Sequence, residues 1–400
     1  MKLLYIANIR LPTERAHGLQ IVQNCEAFAD AGAEVTLWVA RRWQTAALRT
    51  AADVWAHYGV KRNFALRRLP VIDLLPLVPG RTDIAARLIF ALGLITFTLV
   101  ACVGAWLTRA DVIYSRDPLV LFCIGLIAPR RRLAYEAHME SHGRVSRALQ
   151  RRVLQRVDAT FATTRYLADT LIGMGAEPGR VHVAHDGIRA ARFIDLPERA
   201  TAKARAGWRA DAFVVGYVGR LETVGLDKGV GLLVEAVARV PGAALAIVGG
   251  PDTTVEVLRT RWRALRGDDA DLYALGQLPP DRVAGLLAAC DVCAIPFPHN
   301  PHFSYHASPM KLFEYMAARR AIIASDLPAL REVIRDGETA ILLAPDDVDA
   351  WVEAIVRLRD DPALWSRLSE QAYATVMASY TWDARARMIL DVIASARADA

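Results

Sequence analysis

Four hundred residues exceed one ordinary α/β core and suit two domains of about 200 residues each. A composition of 54% hydrophobic and 23% charged residues excludes general disorder. The net charge of +6 is uneven: residues 1–195 hold 26 Lys and Arg against 16 Asp and Glu, the rest 23 against 27.

A basic first half points to an anionic partner, either a phosphate-bearing acceptor or an anionic lipid surface. Nucleic acid is not expected, because the arginines at 130–132 and 144–156 are not interleaved with aromatics that could stack on bases. A well-solvated helix face would read the same way.

The chain opens directly on an apolar β-prone run, Lys2 to Asn8, without the basic start and cleavage site of a signal peptide. Together with five scattered cysteines (Cys25, Cys102, Cys123, Cys290, Cys293) in mostly apolar runs, this predicts buried thiols in a reducing, cytoplasmic setting.

Strand-length apolar runs then alternate with helical patterns. In the first half they are Lys2–Asn8, Glu34–Ala40, Asp111–Arg116, Leu133–His138, Thr160–Thr164 and Val181–Ala184. In the second they are Phe213–Gly219, Ala244–Gly249, Leu272–Leu275, Asp291–Pro296, Ala321–Ser325 and Ala340–Leu343. Two such series predict two doubly wound parallel-sheet domains. The helix after the first strand carries Ile21, Val22, Cys25, Phe28 and Ala29 on one face. The expected boundaries are 1–195 for the first domain and 196–379 for the second, joined by a linker from Asp195 to Gly207, with a final helix over 380–400. Leu88 to Leu107 is twenty residues without a charge. By length it could span a bilayer, lie in its interface, or form a domain helix; the strand pattern right after it favours the last.

The chemistry-bearing signals cluster late. The run Val214-Val-Gly-Tyr-Val218 stops at Gly219-Arg220, and Lys228-Gly229 opens the next helix. Two cations beside free backbone donors at one sheet edge suit a diphosphate; a surface Arg and Lys beside a turn would look alike. In His306-Ala-Ser-Pro-Met-Lys-Leu-Phe-Glu314, Ser308 is a suitable N-cap and Pro309 a suitable first helical residue. The exposed N–H groups of such a helix bind anions, and Lys311 and Glu314 share one of its faces. Asp269-Ala-Asp271, the histidines 299, 302 and 306, and Cys290-x-x-Cys293 are weaker signals, and no metal site is expected from them.

These residues resemble the family 4 retaining glycosyltransferases of the GT-B fold, in the branch that builds bacterial cell-surface polysaccharides. The likeness covers nearly the whole chain: Asn8 to Gln20 with Gly18, Tyr135-Glu-Ala-His138, His185-Asp-Gly-Ile188, Gly219-Arg220 with Lys228-Gly229, Lys311 to Ala317, and Tyr380-Thr-Trp-Asp383. The resemblance implies two Rossmann-like doubly wound domains facing a central cleft, with the final helix crossing back to the first domain. It implies a metal-independent enzyme without a cofactor, taking a UDP- or GDP-linked sugar as donor and a glycan or lipid-linked acceptor. The basic first half and the uncharged segment 88–107 suggest that this cytoplasmic protein is peripheral on the anionic inner membrane face.

By the same likeness His138 positions the donor sugar, and Arg220, Lys228 and Lys311 hold the leaving diphosphate. Gly18, Gly219, Gly250, His306, Ser308, Pro309, Met310 and Glu314 complete the donor site, with Glu314 on the ribose. One departure is plain: His306 stands where the family usually carries a first glutamate. Two other classes remain open, a sugar-nucleotide epimerase of the same fold and a nucleotide-sugar-binding protein without catalysis.

Overall fold

The computed structural model describes residues 1–13, 15–45, 48, 53–75, 83–223, 225–278 and 280–395. Two compact units emerge, Met1–His185 with Trp382–Ala400, and Asp186–Thr381.

In the first unit the elements run β1 (Lys2–Ala7), α1 (Ala16–Asp30), β2 (Glu34–Ala40), α2 (Val54–Tyr58), β3 (Ala65–Leu69), α3 (Ile84–Leu107), β4 (Val112–Ser115), α4 (Pro118–Ile127), β5 (Arg132–Ala137), α5 (Arg144–Leu154), β6 (Ala159–Ala162), α6 (Arg165–Gly173) and β7 (Val181–Val183). The sheet is parallel in the order β3-β2-β1-β4-β5-β6-β7. Successive strands step outward in one direction to β3, then restart beside β1 at β4. The carboxyl ends of β1 and β4 therefore form the switch point, where α/β sheets leave a crevice for ligands. Residues of α3, α4, α5 and α6 share one apolar cluster with the sheet, so these four helices cover the same face.

The second unit runs α7 (Arg199–Ala206), β8 (Phe213–Val218), β9 (Glu222–Thr223), β10 (Leu226–Asp227), α8 (Val230–Ala238), β11 (Ala243–Val248), α9 (Asp252–Arg266), β12 (Leu272–Gly276), α10 (Pro280–Ala289), β13 (Val292–Ile295), α11 (Met310–Ala317), β14 (Ala321–Ser325), α12 (Pro328–Arg331), β15 (Ile341–Leu343), α13 (Val348–Asp360) and α14 (Pro362–Ser379). The chain then returns to the first unit as α15 (Trp382–Ser395). The sheet is parallel, β12-β11-β8-β13-β14-β15, with its switch point between β8 and β13. Along β8, Val214 packs into one apolar cluster and Val215 and Tyr217 into the other, the period-two signature of a sheet covered on both faces.

All twelve strands expected from the apolar runs are present, with ends within two residues of those expected. Two features escaped the pattern. The edge strand β3 carries Arg67 and Arg68 in the middle of its five residues, so it lacks an apolar run. The β9–β10 hairpin is only two residues a side.

The boundary expected at Asp195 falls instead between His185 and Asp186. The stretch 195–207 is no linker: it holds α7, which is anchored in the second unit by the Lys203 ammonium on the Ala212 carbonyl and the Asp291 carboxylate, both at 2.7 Å. The return to the first unit comes at Trp382, two residues later than expected. Ile188 and Thr381 form a parallel bridge where the two passes of chain run side by side.

The uncharged segment 88–107 lies inside α3, the crossover from β3 to β4. Gly93, Phe97, Ala101 and Ala105 face inward, so the helix is half-buried on its own sheet.

Candidate functional site

In the second unit, five segments converge on the carboxyl ends of β8 and β13. Beyond Gly216, β8 loses its pairing with β13. The Tyr315 hydroxyl of α11 takes over, accepting from the Val218 N–H at 2.8 Å and facing the Val218 carbonyl at 3.0 Å. This link fixes the start of α11 against Gly219.

Gly219 is at φ 141°, and a Cβ there would lie 2.9 Å from the Lys311 amino group. Gly249, at φ 144°, would carry a Cβ 2.1 Å from the Gly219 carbonyl. Only glycines allow this close approach of strand ends to the lysine. The Gly250 carbonyl accepts from Leu221 N–H at 2.9 Å, closing the turn after β8. Gly229 caps α8 at φ 76°, and a Cβ there would collide with the Pro296 carbonyl at 2.0 Å.

The three expected cations share this edge. Lys311 is buried, its amino group 3.6 Å from the centre of the Tyr217 ring. No hydrogen-bond partner reaches that nitrogen among the described residues. Burial, then the charge of Lys228, holds its pKa well below the ordinary lysine value. Burial, then Arg220, brings Lys228 down to about 8. Burial, then His306 and Lys228, lowers His302 as well. Such mutual repulsion is what cations held close together at one edge produce.

Glu314 is the acid of this group. Burial raises its carboxyl to about 7 against the pull of Arg192 and Lys311. The sequence offered no sign of Arg192, which comes from a short turn far from the motif.

The helix start differs in detail from expectation. Pro309 is the cap residue and Met310 the first helical residue, and no side chain caps the helix. Ser308 instead takes the Asp186 N–H on its Oγ at 3.3 Å. The open end of α11 thus keeps unsatisfied N–H donors and the positive end of its dipole. His306 ends a π-turn whose Phe303 stacks on Phe297, centroids 4.6 Å apart.

In the first unit the focus is the carboxyl edge of β1, β4 and β5. His138 follows β5 directly, its Nε2 2.9 Å from Glu136 Oε1. Burial alone would raise Glu136, but Arg385, His138 and Arg116 outweigh it and hold the carboxylate well below its usual range. An ionised Glu136 requires the Nε2–H tautomer, leaving the His138 Nδ1 lone pair as acceptor. Burial, then Arg116, lowers His138 to about 4, so the ring is neutral near pH 7. Glu136 also accepts from Tyr5 Oη at 2.8 Å and from Arg385 Nη2 at 3.1 Å.

The part of Glu136 was not foreseen from the sequence, although its i, i+2 spacing to His138 puts both on one side of an extended strand end. Arg385 lies 249 residues from Glu136, beyond any local pattern. Arg116 was missed too. Its Nη1 is buried without a hydrogen-bond partner among the described residues, and its charge bears on both His17 and His138.

Gly18 is required by packing inside the unit: a Cβ would lie 2.4 Å from Thr13 Cγ2 and 2.5 Å from the Tyr58 hydroxyl. The weaker acidic signal is structural, since Asp269 pairs with Arg259 and Arg263, and Asp271 with Arg209. Among the described residues no three His, Cys, Asp or Glu side chains gather.

Comparison with known proteins follows this division. The family described as "Glycosyl transferase 4-like domain" matches residues 17–187, and "Glycosyl transferases group 1" matches residues 212–361. The chain is similar to the D-inositol 3-phosphate glycosyltransferase of Acidothermus cellulolyticus, 32% identical over 265 residues, covering 62% of this chain and 57% of that one. The Mycobacterium avium protein of the same description is 29% identical over 240 residues, 58% and 54% of the two chains. The chain thus spans little more than half the length of these relatives. Among solved structures, HepE of Anabaena in complex with UDP superposes with a TM-score of 0.73 at 18% identity, covering 99% and 100%. Sucrose-phosphate synthase of Thermosynechococcus elongatus superposes at 0.76 and 19%, covering 100% of both. The fold is that of the GT-B glycosyltransferases.

Proposed function

We propose that this protein is a retaining glycosyltransferase of family 4 type, moving a sugar from a nucleotide-diphosphate donor to a glycan or lipid-linked acceptor. The observation that carries the reading is the buried Lys311 amino group without a hydrogen-bond partner among the described residues, beside Lys228, Arg220 and the uncapped start of α11. A diphosphate supplies the anion this arrangement lacks. Glu314 suits the ribose hydroxyls as an acceptor, and UDP in a structural neighbour favours uridine over guanosine.

In the reaction the acceptor oxygen attacks the anomeric carbon as the bond to the phosphate oxygen breaks. The electron pair leaves with the diphosphate, and a phosphate oxygen takes the acceptor's proton from the same face, so configuration is retained. Arg220, Lys228, Lys311 and the α11 dipole stabilise the leaving charge, usually the largest catalytic contribution. In this reading the positive charge comes from side chains, and no resident metal or cofactor is required. Neutral His138, oriented by Glu136, positions the sugar and is not the general base.

The acceptor is read as a glycan or lipid-linked precursor of cell-envelope polysaccharide. A second reading, a phosphorylated polyol, is favoured by Arg116 at the first unit's switch point and by the relatives' D-inositol 3-phosphate activity.

The decisive test is a screen of UDP- and GDP-sugars by calorimetry, followed by turnover with and without cell-extracted acceptors. Acceptor-dependent release of the nucleoside diphosphate supports the transferase. Sugar isomerisation without acceptor would make it an epimerase, and binding without turnover a sugar-nucleotide-binding protein.

A further inference from the structure

The outer face of α3 is apolar from end to end. Leu88, Leu92, Ile95, Leu99, Val103 and Trp106 recur every three or four residues, and the least exposed of them, Leu92, is still 38% exposed. No polar residue is exposed between 88 and 107. A helix that rests on its sheet should present charges to water, and monomers rarely leave so long an apolar strip uncovered. At about 1.5 Å per residue its 24 residues make a ridge of about 36 Å.

The surroundings of the ridge specify its occupant. Exposed Arg87 and Arg109 bracket the apolar stretch. Arg131 hydrogen-bonds the Thr108 and Ala110 carbonyls, tying the end of α3 to the loop after α4. The last turn of α4 exposes Leu126 and Ile127, and the loop after it exposes Arg130. Two helices along the same layer, α5 presents Arg144, Arg147, Arg151 and Arg152, with Val145 exposed among them. Across α3, α4 and α5 there is not one Asp or Glu.

We infer that the α3–α4–α5 layer docks on an anionic lipid bilayer, α3 lying in the interface with its ridge among the acyl chains and the α5 arginines on the headgroups. Apolar area and cationic flank together are what interfacial binding needs. A convex ridge offers no groove for a peptide. A second copy would bring its own arginines against these, with no carboxylate in the layer to pair them. The inner face of α3 stays on the sheet, so the helix lies on the membrane without crossing it. The inference stands apart from the transferase reading, since a chain without catalysis would bind lipid equally.

The test is flotation of the full chain with phosphatidylcholine vesicles, with and without phosphatidylglycerol. Wild type is expected to float with the anionic vesicles at low salt and to dissociate as salt rises. Leu99→Glu with Val103→Glu should weaken binding by at least about tenfold, and Leu99→Ser with Val103→Ser by less. Arg147→Ala with Arg151→Ala should cost about fivefold per arginine and flatten the salt dependence. All are exposed positions, so thermal unfolding should match wild type. Absence of wild-type binding, or binding that ignores the ridge substitutions, overturns the inference. Self-association without vesicle binding, dispersed by Leu99→Glu, overturns it too and assigns the ridge to a second copy.

Discussion

The Lys311 ammonium lies 3.6 Å above the Tyr217 ring centre, buried and without a hydrogen-bond acceptor among the described residues. The ring's quadrupole offsets part of the charge's lost hydration but does not replace an anion. Lys311→Met should therefore leave the ligand-free protein as stable or more stable in thermal unfolding. The same substitution should weaken nucleotide-diphosphate binding by about 30- to 150-fold, about 2–3 kcal/mol. Unchanged affinity in calorimetry would sink the diphosphate assignment.

Lys228 gives a pH signature. Its folded pKa of about 8 lies below the ordinary lysine value of 10.5, so between those values the unfolded chain binds more protons and stability rises with pH. Lys228→Met should remove that rise in denaturant unfolding followed across the window. Diphosphate affinity should run the other way, falling as pH climbs past about 8, whereas Lys228→Arg should bind with little pH dependence.

Glu314 titrates with the opposite sign. Its carboxyl is raised from 4.5 to about 7, so its contribution is fully present below 4.5 and is lost as pH rises through about 7. Glu314→Gln keeps the shape and removes the charge, so this loss should vanish from the stability profile. Nucleotide binding should weaken by about tenfold in the variant, since an amide accepts ribose hydrogen bonds less strongly than a carboxylate. A variant with wild-type nucleotide affinity would remove Glu314 from the donor site.

The parts of this protein legible in the sequence are those with local causes. Buried parallel strands read as apolar runs, and Gly219-Arg220 and Lys228-Gly229 sit where strand ends and helix starts must be. What stayed hidden depends on packing between distant segments. Asp186 to Asp195 joins the second unit without any change in composition to announce it. The Tyr315 hydroxyl replaces a missing strand partner at Val218, which no spacing encodes. Ser308 looked like a cap, but the nearby Asp186 N–H took its oxygen. Arg116 and Arg385 carry no pattern; they matter because the sheet's carboxyl edge and a returning helix meet at Glu136.

His138 should be a positioning residue. Its neutral ring, with a pKa lowered to about 4, adds no inflection to a turnover profile between pH 5 and 8. His138→Ala should leave nucleoside-diphosphate affinity unchanged while lowering kcat by about a hundredfold through lost orientation. A wild-type turnover profile bending near pH 6.5 would instead make it an acid or base.

The pair Glu136–Arg385 joins β5 to α15 with both side chains almost wholly buried, 0% and 3% exposed. Tyr5, His138 and the Asn24 amide N–H also reach the carboxylate, and the Asn24 amide oxygen and the His185 carbonyl share the guanidinium. Removing either partner strands a charge, so Glu136→Gln and Arg385→Met should each cost about 3–5 kcal/mol in denaturant unfolding of the first unit. The double variant strands neither and should cost well under the sum of the two. Acid should mimic the loss: the depressed Glu136 contributes fully above its unfolded pKa and loses that contribution as pH falls through the folded one. His138 works in the same direction, because below 6.5 the unfolded chain takes its proton before the folded one does. Glu136→Gln should therefore flatten the acid limb of the stability curve as well as lower its plateau. Additive single-variant costs, or an acid limb unchanged in Glu136→Gln, would show that α15 is held by its apolar face alone.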